Sequence, residues 1–142
     1  MINPDQAPED LWQRLNAAGE TRQYERGAIL YRAGAVVEGI YLVQTGEVNL
    51  QLGGSRKKHA LESSGPGTIL ALADAMCGNC HKLTAETATP TQIRFIKRET
   101  LLELLRITPR ACMQIVQLLS EDLLRLHDAL RNDASPKSRG LR

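Results

Sequence analysis

Residues 24–50 read YERGAILYRAGAVVEGIYLVQTGEVNL, and the way this stretch divides decides the fold. Three short apolar runs, AILY, GIYLVQ and VNLQL, are separated by turns that carry Gly34 and Gly46. Each run is too short for a stable helix and holds the β-branched and aromatic residues that suit a half-buried pleated surface. Outward from it, TILAL at 68–72 and TQIRFIK at 91–97 repeat the pattern, with Gly53, Gly54, Gly65 and Gly67 ahead of the first. Short strands at nearly regular spacing with glycine turns predict a β-sandwich or jelly roll over residues 23–98.

Helical periodicity flanks these strands on both sides. Leu11, Trp12 and Leu15 share a face and Gly19 supplies a stop, which predicts a short helix from Pro8 to Ala18 within an N-terminal helical segment, residues 1–22. After Lys97, Leu101, Leu102, Leu104 and Leu105 mark a helix, and Thr108 and Pro109 are a cap and first-turn residue for the next. In that next helix Cys112, Val116, Leu119, Leu123, Leu126 and Leu130 alternate at steps of four and three, the seam of a dimer helix. Ile115, Leu118 and Leu124 lie off the seam and are placed to face the chain's own core. The alternative is one buried face packed on the chain's own sandwich. These helices occupy residues 99–131, and the polar stretch 132–142 has the composition of a disordered tail.

A chain of 142 residues with 42% hydrophobic content is enough for one core, and 18 basic against 16 acidic residues give no general pull toward nucleic acid or a membrane. No run approaches the roughly 18 apolar residues of a membrane span, and no basic region followed by an apolar run opens the chain, so a cytoplasmic location is expected. Three cysteines do not make a secreted disulfide framework and fit a reducing compartment.

Gly27, Gly34, Tyr41, Leu42, Val43, Gly46 and Val48 fall where the cyclic nucleotide-binding domain of the catabolite activator and fumarate-nitrate regulator superfamily has its aromatic-x-x-Gly hairpin and Ile-Tyr-Leu-Val-x-x-Gly-x-Val strand pair. The stretch resembles the opening of that domain, and GPGTILALADAM, TATPTQIRFIKRETLLELL and the leucine-rich helix extend the resemblance to about Leu130. It implies a mainly β jelly roll (a double-stranded β-helix) with a short N-terminal helix and a long C-terminal dimerisation helix. Members that bind cyclic nucleotides carry a Gly-Glu pair and, about ten residues on, an Arg followed by Ser/Thr-Ala. The carboxylate accepts from the ribose and the guanidinium pairs with the cyclic phosphate. On this chain the resemblance places Gly67 and Leu70 ahead of the first half, Ala71 and Leu72 at Gly-Glu, and Leu83, Thr84 and Ala85 at Arg-Thr-Ala. Both charged anchors are leucine, so tight binding of cyclic AMP or cyclic GMP is not expected; Lys82 could meet a phosphate only through a one-residue shift. Transcription factors of this superfamily continue into a helix-turn-helix, and this chain ends shortly after residue 131, so DNA binding by the chain alone is not expected either.

Between the two halves lies CGNCH, residues 77–81. Gly78-Asn79 predicts a tight turn that brings two sulfurs together. Four readings stay open: small residues filling an emptied pocket, a Cys77-Cys80 redox pair, a zinc or iron site through Cys77, Cys80 and His81, and c-type haem attachment, which the absent export signal opposes. Cys112 is expected to be a buried helix thiol, and His59 and His127 to be solvated. No Ser-His-Asp set, carboxylate pair or phosphate loop points to an enzyme. The sequence is thus that of a sensor module and homodimer, of unknown effector, with a thiol-redox or metal protein as the alternative.

Overall fold

The structure is a computed structural model and describes residues 8–52, 60–77 and 80–121. In chain order the elements are α1 (Glu9–Ala18), β1 (Glu20–Tyr24), β2 (Ile29–Tyr31), β3 (Gly39–Thr45), β4 (Val48–Gln51), β5 (Ala60–Ser64), β6 (Ile69–Leu70), α2 (Leu72–Cys77), β7 (Thr84–Thr87), β8 (Thr91–Lys97) and α3 (Arg98–Ile107). A further helix, α4, is described over residues 109–121. The strands form two antiparallel four-stranded sheets, one ordered β1-β8-β3-β6 and the other β2-β7-β4-β5. This is the jelly roll with flanking helices that the glycine-punctuated runs predict.

The run GIYLV is apolar without alternation because β3 lies inside its sheet, between β8 and β6, and is covered on both faces. Its pleat sends Tyr41 and Val43 into the space between the sheets, where Tyr31, Val48, Leu50, Leu70, Ala85, Ile93 and Phe95 join them. Ile40 and Leu42 point the other way and pack with Ile69 and Ile96 against the helices, through Leu11 and Leu15 of α1, Leu72 and Ala75 of α2, Leu101 and Leu105 of α3, and Ala111, Ile115 and Leu118 of α4. One sheet therefore separates an inner core from an outer, helical core. Such two-sided burial needs β3 and β8 close together, and Gly39 makes this possible: a side chain there would overlap the Ile96 carbonyl and come within 2.8 Å of the Phe95 ring.

The structure departs from the sequence reading at TILAL, which is expected as one strand. Only Ile69–Leu70 pairs with β3; Ala71 turns into left-handed backbone at φ 69° and Leu72 opens α2. Local apolar content does not distinguish a short strand from the first turn of a buried helix, and here tertiary packing of Leu72 and Ala75 on the outer core decides. The polar strand β1 (ETRQY) pairs along its whole length with β8 and extends the sheet to Glu20.

Of the seam that the sequence suggests for a dimer, Val116 is exposed while Cys112 and Leu119 are half-buried against the outer core. Ile115 and Leu118, off the seam, are buried inside the same chain. Leu123, Leu126 and Leu130 lie outside the described residues, as do Leu124, His59, His127 and the tail.

Candidate functional site

The site expected from the sequence is built on two segments that approach from opposite ends of a loop. The first leaves β6 at Leu70, turns at Ala71 and becomes α2. It follows the turn at Gly67, which has a positive φ of 91° and donates its amide to the Val43 carbonyl at 2.8 Å. The second runs from Cys80 through β7. Leu70, Ala71 and Ala85 are buried facing the inner core, and Leu83 packs against it from the rim. Thr84 is buried with its hydroxyl accepting the Ala33 amide at 2.9 Å, which ties β7 to the turn after β2. Leu70, Ala71, Leu83 and Ala85 meet at the inner core. Leu72 does not: it is turned to the outer core, 1% exposed. Lys82 is exposed while Leu83 faces inward, so the register that brings an ammonium into the roll is not the one adopted.

The inner end of this space is aromatic. Phe95, Tyr41 and Tyr31 form a chain of tilted rings with centroids 5.0 and 5.3 Å apart. Arg22 of β1 covers Phe95 at 3.9 Å from the ring centroid and pairs with Glu20 at 3.1 Å. Burial, followed by the charge of Asp74, pushes the Tyr31 hydroxyl up, and burial pushes Tyr41 up to about 12.

The chain of rings ends on His81, which the sequence reading places in the loop. Its imidazole stacks on Tyr31 with centroids 3.9 Å apart and an interplanar angle of 18°, and its Nδ1 lies 3.3 Å from Oδ2 of Asp74 in α2. The side chain is 1% exposed. Burial lowers its pKa, against the opposing pull of the Asp74 bond and of the charges of Asp74 and Glu38. The backbone is fixed as firmly: the His81 amide donates to the Ala35 carbonyl at 2.9 Å, and the His81 carbonyl accepts from Gly34 at 2.8 Å. Neither Asp74 nor Tyr31 stands out in the sequence as a partner of His81, because the contact joins three segments that only the folded chain brings together. On its far side α2 is tied to α3, where the Arg98 Nε donates to the Ala75 carbonyl at 2.8 Å.

With this geometry in place, a family profile described as the cyclic nucleotide-binding domain matches residues 21–108. The chain belongs to that family. Solved structures agree on the fold. The Thermus thermophilus catabolite activator protein superposes with a TM-score of 0.75 at 20% identity, covering 87% of this chain and 58% of its own. The N-terminal domain of a transcriptional regulator from Streptomyces coelicolor gives 0.72 at 18%, covering 89% and 90%. The sensor domain of the Pseudomonas aeruginosa transcriptional regulator DNR gives 0.62 at 19%, covering 92% and 84%. No curated protein sequence matches the chain. The chain thus spans under three-fifths of the Thermus protein's length.

In this cyclic nucleotide-binding domain the CGNCH segment is split by the fold. Cys77 ends α2, Gly78 and Asn79 lie outside the described residues, and Cys80 pairs with Val36 as an isolated bridge and is exposed. His81, the next residue, points inward to Asp74 and Tyr31. Cys80 and His81 therefore face apart and do not converge on one ion, and among the described residues no three His, Cys, Asp or Glu side chains gather as a metal site. The turn and the distance between the two sulfurs fall outside what the structure describes.

Proposed function

We propose that this domain is a regulatory sensor module in which the cyclic nucleotide anchors have been replaced, so that cyclic AMP and cyclic GMP are not its effectors. Leu83, packed against the inner core where the resemblance expects a guanidinium, carries this reading. A phosphate brought to that surface would be buried among leucine, alanine and tyrosine side chains without a paired cation, which costs several kcal/mol. Leu72, directed to the outer core, adds to this, because an acid at that position would have to reach a ribose from the wrong face of α2. Calorimetry of the purified chain with each nucleotide is expected to give no heat of binding at micromolar concentrations. A micromolar Kd for either overturns the reading.

The module is proposed to act as a homodimer through α4. Met113 and Val116 are 67% and 48% exposed beside half-buried Cys112 and Leu119, while Ile115 and Leu118 serve the chain's own core. This division of faces is what a helix shared between two cores requires. Val116→Glu is expected to shift the chain to a monomer in sedimentation equilibrium without loss of its circular dichroism. A dimer that survives this change excludes the face.

A further inference from the structure

We propose that His81 is a built-in ligand of this domain, its imidazole holding α2 and the β7 segment together in the way that a bound effector would, so that the site is closed by the chain itself. The proposal rests on the reading above, that no cyclic nucleotide takes this place.

Three observations carry it. The imidazole joins the two segments of the site directly, with Nδ1 3.3 Å from Asp74 on α2 and its own backbone leading into Leu83 and Thr84. It sits as a bound planar heterocycle would, stacked on Tyr31 at 3.9 Å and removed from solvent, and its backbone is anchored to the turn after β2 by two hydrogen bonds. Finally, α2 is six residues long, a length at which a helix does not persist on its own, so its position depends on tertiary ties: besides His81, the described ones are Leu72, Ala75 and Met76 at the outer core and Arg98 at its Ala75 carbonyl.

The latch has a defined electrostatic setting. Asp74 from α2 and Tyr31 from β2 face the imidazole, the charge of exposed Glu38 before β3 acts on it from farther away, and its neighbours Cys80 and Lys82 are exposed. The neutral ring can donate from Nδ1 to the Asp74 carboxylate; protonation strengthens that pair but puts a charge on a side chain only 1% exposed, and the burial outweighs the pair, which favours opening. Because Leu72 and Ala75 share a core with Ile115 and Leu118, an opened α2 alters the support of α4.

Hydrogen exchange by mass spectrometry on the whole chain tests the latch. At pH 7.5, His81→Ala is expected to raise exchange of the α2 amides Ala75, Met76 and Cys77 by roughly 10- to 100-fold, the effect of losing one hydrogen bond to a charged group. The amides of β3 and β8 keep wild-type protection. Added imidazole at tens of millimolar is expected to restore α2 protection in this variant and to leave wild type unchanged. Acidifying wild type to pH 5.5 reproduces the selective loosening, after correction for intrinsic rates, and His81→Ala shows no further pH response in α2. Should His81→Ala fail to fold, Asp74→Ala supplies the same arm and is expected to loosen α2 alone. Unchanged α2 exchange in the variants, or loosening that spreads equally to β3 and β8, overturns the proposal and leaves His81 an ordinary core residue. Calorimetry with cyclic nucleotides on wild type tests the underlying reading separately, since nucleotide binding alongside an intact latch pattern would remove that reading and keep the latch.

Discussion

Ala71 is a non-glycine residue in left-handed backbone, at φ 69°, where the family places a glycine, and replacing it by glycine isolates how much strain the turn into α2 stores. Left-handed backbone costs an L-residue with a Cβ roughly 1–2 kcal/mol, which Ala71→Gly removes. Against this stand the loss of one buried methyl, about 0.8 kcal/mol, and the extra freedom of glycine in the unfolded chain, about 0.4–1 kcal/mol. The opposing contributions nearly cancel, and Ala71→Gly is expected to lie within about 1 kcal/mol of wild type. Ala75, four residues on and 0% exposed, is the control. There glycine loses about 1 kcal/mol of helix propensity and a similar methyl with no strain to release, so Ala75→Gly is expected to cost about 2 kcal/mol. Urea unfolding followed by the emission of Trp12, the single tryptophan, measures both, since Trp12 is half-buried against the outer core. Equal losses in the two variants at unchanged m would mean that the backbone at Ala71 is unstrained.

His81 has a folded pKa lowered by burial, so its contribution to stability is complete above the ordinary value of 6.5 and is lost as the pH falls through the folded value; the raised Tyr31 and Tyr41 give the opposite limb, complete below pH 10 and lost as the pH rises toward 12. Urea midpoints from pH 4.5 to 11 test this, and His81→Phe should flatten the region just below pH 6.5 alone. Gly39→Ala is expected to cost about 3 kcal/mol or more, since its Cβ meets the Ile96 carbonyl and the Phe95 ring, whereas Gly65→Ala, whose Cβ meets only the Glu47 carboxylate at 3.5 Å, should stay within about 0.5 kcal/mol; thermal melts of the pair check the contrast. Exposed Cys80 is expected to react with iodoacetamide faster than half-buried Cys112, as peptide mapping of a time course would record, and equal rates would contradict the burial described for α4.

The order of amino acids alone makes legible the part of this protein that depends on near neighbours along the chain. Strand period, glycine turns and leucine spacing are local signals, and they predict the jelly roll, the flanking helices and the face of α4 that Ile115 and Leu118 turn inward. Ala71, Leu83 and Ala85 are assigned to the site through the family resemblance rather than through local pattern, and the fold brings these three to the inner core. Tertiary structure alone decided where side chains in those segments point. Leu72 faces the outer core although Ala71 faces the inner one, since a helix begins between them. CGNCH is the clearest case. As five letters it is a cluster of ligands and thiols, but the bridge between Val36 and Cys80 turns one residue outward and the next inward, and gives His81 the partners Tyr31 and Asp74. Those partners lie 50 and seven residues away in the chain, and contacts at such separations are set by the stacking of two sheets and the docking of α2, which no local pattern encodes.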